Sequence, residues 1–362
     1  MNANGQTIVN LGRLNIAFEG DNRFSNHVLN EIAAALPKTD NPPQLTFRFV
    51  PDIDARDNSI RIDALRGVIA GLHAEHTGRM LDIAPRPMAP DRVIGSNLAI
   101  KALEMNFLTL DALRAKNFVY KLFNWAVQIE QLSLGQSFIH ASALTKNRRT
   151  IAVLGKGGVG KTSAMLKLCI QDGWRYLSDD LAVVDDAGVV YRSPAHLQVY
   201  AYNTEGDAPM ERRLMRGRIL FDRLHWRIRR RLLGNAKVRR RVSAEFLFGA
   251  ENVARSASLT DVLFLQRGGA PGLAITKMAP QDAADRITPI IMNEIKAYFP
   301  IYHEVAARKP ELLPSPEDIE NKTRTVLEHA FENVQAKLMT AGPDAEPDDL
   351  ANAIRDLVRT SS

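Results

Sequence analysis

Residues 151–162 have the sequence IAVLGKGGVGKT, in which a short apolar run leads into a glycine-rich loop. From Gly155 to Thr162 the loop matches the phosphate-binding pattern G-x-x-x-x-G-K-[ST] at every defined position. Glycine reaches the positive φ angles that turn several backbone amides toward one anion, and the following helix directs its positive end at the same place. The run before the loop predicts a strand, and residues 161–170 predict an amphipathic helix. The alternative is a glycine-rich turn with a structural role alone.

The loop pattern assigns a chemical role to particular side chains. Lys161 is expected to neutralise the β- and γ-phosphates of ATP, and the Thr162 hydroxyl is expected to be a ligand of Mg²⁺. The expected nucleotide-binding residues are Gly155, Lys156, Gly157, Gly158, Val159, Gly160, Lys161, Thr162 and Ser163.

Two adjacent carboxylates, Asp179 and Asp180, follow the predicted helix and a short apolar run. Phosphoryl transfer needs one carboxylate for the metal and often a second one that accepts the hydroxyl proton. Adjacent acids between apolar runs are costly to bury without a cation nearby, so these two are candidate site residues. The other interpretation is a pair of solvated turn acids. Asp185 and Asp186 precede Gly188 and predict a hairpin turn instead.

His140 lies in the apolar run 138–144, which predicts a strand joined by a turn-rich segment to the strand before the loop. A lone histidine in a strand is usually a core or surface residue. Because the two strands are expected to be neighbours, we expect His140 to face the same site as the loop.

The series His140-Ala-Ser-Ala, then Gly155–Thr162, then Asp179-Asp180 resembles the HPr kinase/phosphorylase family over about residues 138–199. The resemblance implies an α/β fold with a P-loop kinase core of the HPr kinase and phosphoenolpyruvate carboxykinase type. It implies ATP and Mg²⁺ as cofactors, a hydroxyl acceptor such as serine in a protein, peptide or small molecule, and assembly into homo-oligomers. The N-terminal region and the His-Ala-Ser-Ala form are more similar to the HPr-kinase-related kinases, including the kinase B group.

The same resemblance implies a division of labour among the site residues. Asp179 would be the general base and His140 the partner that orients it, with Lys161 completing the catalytic set. Asp180 would be a metal ligand together with Thr162. The likeness does not extend to dephosphorylation or to HPr itself as the substrate, because Lys156-Gly157 stand where the family usually has Asp-Ser and its later signature segment is missing.

Lys156 supports a competing interpretation. The sequence KGGVGKT also resembles the deviant phosphate loop of partitioning and division-site ATPases, in which the first lysine reaches across a dimer to the partner's nucleotide. Those proteins carry the loop near the N-terminus and follow it with an Asp-x-Asp strand end. We favour the kinase because here the loop begins at residue 155 and a hairpin follows the Asp pair.

The charge of the chain is concentrated in Arg212–Arg241, which we call the arginine segment. From Glu211 to Arg241 the net charge is +11, so the rest of the chain carries −5 of the formal total of +6. Leu220, Leu224, Ile228 and Leu232 recur every four residues and predict a helix. We expect the segment to bind an acidic or phosphorylated substrate, because the guanidinium fork matches carboxylate and phosphate. A solvated basic face, nucleic acid and an anionic membrane surface are the alternatives, although no nucleic-acid-binding module is recognised.

Composition sets the remaining expectations. With 45% apolar and 24% charged residues, the chain of 362 residues is typical of globular proteins, and its single cysteine, Cys169, excludes an internal disulfide framework. Neither a secretory leader nor a transmembrane run is recognised, which favours a cytoplasmic protein. We expect an α+β accessory domain at 1–135, the P-loop core at 136–300 and a helical tail at 301–362. In the tail, helical spacing continues from Ile319 to Leu338.

Overall fold

The computed structural model describes residues 7–19, 36–49, 60–62, 68–75, 78–85, 124–192, 196–296 and 313–359, with the single positions 299, 303 and 307. Two compact units make up this mixed α/β protein, one formed by Met1–Ser137 with Ile291–Val326 and the other by Phe138–Ile290 with Leu327–Ser362. The three-domain division stays a prediction. The sequence also predicts helices that begin after Ser25 and at Asn97, and both segments lie outside the described residues. No helix in the described ranges is long and apolar enough to span a bilayer.

The first unit contains a six-stranded mixed sheet in the order β1-β2-β3-β6-β5-β4. Its strands are β1 Thr7–Leu11, β2 Leu14–Glu19, β3 Leu45–Phe49, β4 Ile60–Ile62, β5 Val68–Glu75 and β6 Gly78–Pro85. β2, β3 and β6 run parallel to one another, and the other neighbours are antiparallel. Phe18 and Phe47 stack between the parallel strands with ring centroids 5.6 Å apart. Helix α1, residues 124–133, lies in the same unit.

The second unit contains a nine-stranded sheet in the order β14-β11-β10-β7-β8-β15-β17-β16, with β9 also paired to β7. Its strands are β7 Gln136–Lys146, β8 Arg149–Leu154, β9 Arg175–Ser178, β10 Leu181–Asp185, β11 Val189–Tyr191, β14 Ser256–Ser258, β15 Asp261–Arg267, β16 Leu273–Lys277 and β17 Gln335–Ala341. A separate two-stranded sheet joins β12 Leu197–Tyr200 to β13 Arg239–Val242.

The helices of the remaining described chain are α2 Lys161–Gln171, α3 Ala208–Leu214, α4 Leu220–Leu233, α5 Ala244–Phe248, α6 Pro280–Ile295, α7 Pro316–Phe331 and α8 Pro347–Arg359. The helices predicted after the glycine loop and in the arginine segment are therefore present as α2 and α4. The predicted hairpin at Asp185 is also present, since β10 and β11 pair antiparallel on either side of it. The Asp185 carboxylate stabilises the turn by accepting the backbone N–H groups of Ala187 and Val189.

β8 lies inside the sheet and carries the loop. Its apolar run 151–154 is fully buried, antiparallel to β7 and parallel to β15. Asn147 and Arg148, with φ of 50° and 66°, form the two-residue turn that joins β7 to β8. Arg149 and Asp261 bridge β8 to β15 at 2.6 Å, so both neighbours hold β8 in register.

Helices α2 and α8 cover one face of this sheet and share a single apolar core. The core includes Ile151, Val153, Leu263 and Met339 from the strands, Met165 and Leu168 from α2, and Leu350 and Ile354 from α8. At the edge of the core, Arg355 of α8 bonds the carboxylate of Asp172 at 2.7 Å, and Lys167 pairs with Asp348. The C-terminal helix is thus attached to the helix that follows the glycine loop.

The predicted helical spacing from Ile319 to Leu338 is wrong beyond Phe331. Helix α7 ends there, and Gln335–Ala341 is β17, which lies between β15 and β16. β17 pairs parallel to β15 along its whole length, so the backbone N–H and C=O groups of both strands are hydrogen-bonded. The apolar spacing along residues 319–338 carries no information about this pairing. Tertiary pairing therefore overrides the helical pattern.

Candidate functional site

The glycine loop leaves β8 at Leu154 and ends where α2 begins at Lys161. Gly155, Gly158 and Gly160 have φ angles of 138°, 79° and 111°. At Gly155 a Cβ atom would lie 2.3 Å from the carbonyl oxygen of Leu265, so neither the conformation nor the space admits a side chain. Gly160 is the N-cap of α2, and no side chain caps the first amides of that helix. These amides stay available to an anion.

Lys161 holds the loop in shape. Its side chain is buried, and its Nζ donates to the carbonyl oxygens of Gly155 and Lys156 at 2.8 Å each. Lys156, Gly157 and Gly158 are exposed at the outside of the loop, and ideal Cβ atoms on the two glycines would meet no atom within 4 Å. The loop therefore combines a buried ammonium group with an open outer surface.

The other predicted loop residues make protein contacts. Val159 is buried, and the Oγ of Ser163 accepts a hydrogen bond from Asn203 Nδ2 at 2.8 Å. Asn203 belongs to the 3₁₀ turn Ala201–Thr204 that follows β12. The side chain of Ser163 thus connects α2 to this turn.

Sequence reasoning missed the residues that support the loop from the C-terminal part of the chain. Arg267, at the end of β15, donates to the carbonyl oxygens of Val159 at 3.1 Å, Gly342 at 3.0 Å and Ala345 at 2.7 Å. Leu350 of α8 lies so close to Gly160 that a Cβ there would be 2.8 Å from its Cδ1. No local pattern could indicate these contacts, because they join residues far apart in sequence.

Asp179 lies directly beside the start of α2. The hydroxyl of Thr162 is 3.0 and 2.9 Å from its two carboxylate oxygens, and the hydroxyl of Ser142 donates to the same group. The Asp179 residue is only 6% exposed. Hydroxyl donors from a strand and from the loop helix therefore satisfy a buried carboxylate, which would otherwise be costly to bury.

Asp180 presents its side chain to the outside of the same turn. It has a φ of 68°, and its carbonyl oxygen accepts the N–H of Ala141 at 3.0 Å. Its side chain is 58% exposed, and its Oδ1 lies 3.1 Å from the Nε2 of buried His140. Because a carboxylate can only accept, Nε2 is the donor, and the Nδ1 of His140 has no partner among the described residues.

The strand period explains how β7 serves both acids. His140 and Ser142 are two residues apart and so point to the same side of β7, where His140 contacts Asp180 and Ser142 contacts Asp179. Ser142 carried no role in the sequence analysis, although its spacing from His140 was the signal that could have found it.

The observed pairing is the reverse of the expected one. We expected His140 to orient Asp179 and Thr162 to act with Asp180. Instead, His140 bonds Asp180 and Thr162 bonds Asp179. The difference arises from the backbone, because the left-handed conformation at Asp180 turns adjacent side chains to different surroundings.

The two acids differ in proton affinity as well as in exposure. Burial, together with the negative charge of Asp180, raises the pKa of Asp179 to about 6 against the opposing hydrogen bonds of Ser142 and Thr162 and the charge of Lys161. Partial desolvation by the surrounding chain acts to raise the pKa of Asp180 although its side chain is open to solvent, but the hydrogen bond and charge of His140, aided by Lys161 and Arg239, hold that pKa below its ordinary value. Asp180 is therefore the acid that stays ionised more readily.

Arg239 and two tyrosines lie at the edge of the site. The guanidinium of Arg239 donates to the Tyr200 hydroxyl at 2.9 Å and lies 5.7 Å from that ring's centroid. Tyr200 stacks on Tyr202 with centroids 5.2 Å apart. Burial, Tyr200 and the charge of Asp179 all raise the pKa of Tyr202. Arg239 thus brings one end of the arginine segment within electrostatic range of Asp180.

The residues of this site fit a magnesium–nucleotide better than a metal held by protein alone. In the described part of the chain, no three His, Cys, Asp or Glu side chains gather into a metal cluster. Mg²⁺ commonly binds through one or two carboxylates together with phosphate oxygens. Thr162 and the neighbouring acids supply such oxygens beside the uncapped start of α2.

Comparisons with known proteins give little further direction. No family model matches the sequence. No curated protein matches it either. Among solved structures, the chain is similar to the HPr(Ser) kinase/phosphatase from Coxiella burnetii at 10% identity, with a TM-score of 0.29, over 62% of this chain and 95% of that one. A likeness at that TM-score is too distant to carry a functional argument, which rests on the site itself.

The first prediction concerns the glycine that has no room for a side chain. Gly155→Ala should lower the free energy of unfolding by about 2 kcal/mol or more, because it adds strain at positive φ and a clash with the Leu265 carbonyl. Gly157→Ala is the matched control and should change stability by less than about 1 kcal/mol, because its Cβ would meet open space. Urea unfolding measures both, and equal losses would contradict the loop geometry.

The second prediction concerns pH and uses both acids. Because the folded-state pKa of Asp179 is raised to about 6, wild-type stability should fall as pH rises from about 4 to about 6 and stay lower above that range. Asp179→Asn should therefore gain stability relative to wild type between about pH 4 and about pH 7, by up to about 3 kcal/mol. Urea unfolding without nucleotide or magnesium is the measurement.

Asp180→Asn is the control of opposite sign. The folded-state pKa of Asp180 is lowered, so its ionised form stabilises the fold above its ordinary pKa and that stability is lost in acid. The variant should therefore lose stability relative to wild type as pH rises through the acid range. The same pH trend in both variants would show that the two environments are not as described.

Proposed function

We propose that this chain is an ATP-dependent kinase with a P-loop core of the HPr-kinase-like type, which transfers the γ-phosphate to a hydroxyl group. The observation that carries the proposal is the contact of Thr162, in the first turn after the glycine loop, with Asp179 at 2.9–3.0 Å. Phosphoryl transfer requires that a phosphate-binding loop and metal- or proton-binding acids lie close together. A glycine turn with a structural role alone would not require acids at this position.

The nucleotide would be held by the loop and the start of α2. The backbone amides of residues 155–163 would bind the phosphate oxygens, and Lys161 would exchange its carbonyl partners for the β- and γ-phosphates. Thr162 and Asp179 would hold Mg²⁺, which supplies neutralisation of the phosphate charge when bound.

In this proposal Asp180 is the general base and Asp179 is the metal ligand, so the roles that the resemblance implies for the two acids are exchanged. An incoming hydroxyl can reach the exposed carboxylate of Asp180, whereas Asp179 is buried with its oxygens engaged by Ser142 and Thr162. His140 would orient Asp180 through the hydrogen bond that Nε2–H donates. It would also stabilise the charge of the Asp180 carboxylate until that carboxylate accepts the hydroxyl proton. The raised pKa of Asp179 favours the opposite assignment, and the binding of a cation beside Asp179 would lower that pKa.

The acceptor would carry an acidic or phosphorylated group and would approach along Arg239. This guanidinium lies near enough to Asp180 to influence its pKa, which supports a docking role for this end of the arginine segment. A cation within electrostatic range of the base would attract an anionic acceptor and help to orient its hydroxyl.

The third prediction separates the kinase from its main alternative. When the protein is incubated with γ-labelled ATP and a lysate of its own cells, a kinase should label a protein or a small molecule. Lys161→Ala should abolish the label, because the phosphates lose their buried cation. Release of free phosphate alone, with nucleotide-dependent dimers, would identify the deviant-loop ATPase and assign the exposed Lys156 its role across the dimer.

The fourth prediction separates the roles of the two acids. Asp180→Asn should retain magnesium-dependent ATP binding within about threefold and lower the transfer rate by about 10²-fold or more. Asp179→Asn should weaken magnesium-dependent ATP binding by about tenfold or more, because it removes a ligand oxygen beside Thr162. Single-turnover transfer and equilibrium ATP binding measure the two effects.

Asp186→Asn, in the hairpin turn after the site, is the matched control and should change neither quantity. The original assignment would return if Asp180→Asn kept its transfer rate while Asp179→Asn bound ATP normally and lost transfer.

A further inference from the structure

Helix α4 exposes an apolar stripe to solvent. Nine large apolar side chains are exposed among the described residues, and seven of them lie between Ile219 and Leu233. Leu220 is 82% exposed, Phe221 71% and Leu232 76%, and Leu224 and Ile228 complete the stripe on the same side of the helix. A contiguous apolar surface of this kind marks an interaction site in a folded protein.

The inner side of α4 fixes this orientation. Trp226 is its one buried residue, and the Arg240 guanidinium lies 5.1 Å from the centroid of that ring. Arg230 bonds Glu211 of α3 at 3.0 Å, and Arg240 donates to the carbonyl oxygen of Asp222 at 2.9 Å. These contacts attach the polar side of the helix to its unit, so the apolar stripe faces outward.

A basic pocket lies along one flank of the stripe. The cavity between α3 and α4 has a volume of about 420 Å³, with Met215 and Trp226 among its lining residues. Arg212, Arg223 and Arg227 also line it, together with Glu211, whose carboxylate is paired with Arg230. None of the three lining arginines has an ion-pair partner among the residues that the structure describes. The pocket has the size and charge for an anionic group such as a phosphate.

These features together restrict the occupant. The segment from Glu211 to Arg241, which carries this face, has a net charge of +11, so two copies that met there would bring like charges together. Nucleic acid offers phosphates but little that covers a row of leucines. An anionic bilayer offers both parts, because its phosphates face the arginines while its acyl region accepts the apolar side chains. A helix of about 21 Å with this distribution can lie in the plane of such an interface.

We propose that the outward face of α4 and the arginine pocket beside it bind the surface of an anionic phospholipid bilayer. The stripe would enter the boundary between headgroups and acyl chains, and Arg212, Arg223 and Arg227 would bind lipid phosphates in the pocket. The proposal does not depend on the kinase activity, since Arg239 and the Asp pair take no part in it.

The test uses the full chain and vesicles without nucleotide. The protein should sediment with vesicles of phosphatidylcholine containing about 30% phosphatidylglycerol, and the bound fraction should fall as salt is raised. Neutral phosphatidylcholine vesicles should bind at least about tenfold less protein. Equal binding to both vesicle types, or no binding to either, would overturn the proposal.

Exposed positions allow variants that keep the fold. Leu224→Glu with Ile228→Glu should lower vesicle binding by more than about tenfold, because the stripe loses its apolar centre. Ile275→Glu on β16 is the control, because Ile275 is another exposed apolar residue, at 37% against 53% for Leu224 and 47% for Ile228, and this variant should bind as wild type. Arg223→Gln with Arg227→Gln should weaken binding to anionic vesicles by about tenfold and reduce its salt dependence.

Other occupants would give different results. Protein that binds millimolar inorganic phosphate but no vesicles would assign the pocket to a free anion. A dimer that Leu224→Glu with Ile228→Glu dissociates, in a chain that does not bind vesicles, would assign the stripe to a second copy. Binding of an acidic amphipathic peptide without vesicle binding would assign it to a protein partner. Each of these three results would overturn the membrane proposal.

Discussion

The hydrogen bond between the Thr162 hydroxyl and the Asp179 carboxylate is the contact on which the candidate site depends. It connects the first turn of α2 to the turn between β9 and β10, and so sets the glycine loop against the acidic pair. Together with Ser142, it also makes the burial of a carboxylate tolerable, because hydroxyl donors replace part of the lost hydration. Desolvation still leaves Asp179 with a raised pKa, and a cation bound beside it would relieve that cost.

Adjacent residues with separate tasks are a consequence of the backbone at Asp180. Its left-handed conformation, held by the N–H of Ala141, turns one carboxylate inward to Thr162 and the other outward to His140. A non-glycine residue in this region carries strain, and such strain is commonly found at functional sites. The proposed division between a metal-side acid and a base follows from this single turn.

The fold also places the arginines of the basic segment in different surroundings. The arginine segment is continuous in sequence, yet the charge of Arg239 acts on Asp180 while Arg223 and Arg227 line a cavity next to the apolar stripe of α4. Arg230 and Arg240 are used to hold α4 in place. One segment therefore supports two proposals, an acceptor dock and a membrane surface, which involve different side chains.

The sequence alone determined the strand, glycine loop and helix at 151–170, the hairpin at Asp185 and the amphipathic α4, because each follows from local periodicity or turn chemistry. It also identified His140, Asp179 and Asp180 as one cluster. Only the tertiary structure decided which acid His140 contacts, that 335–341 is a strand, and that Arg267 and Leu350 support the loop. Those features depend on strand pairing and on contacts between distant residues, and a pattern read along the chain carries no information about either.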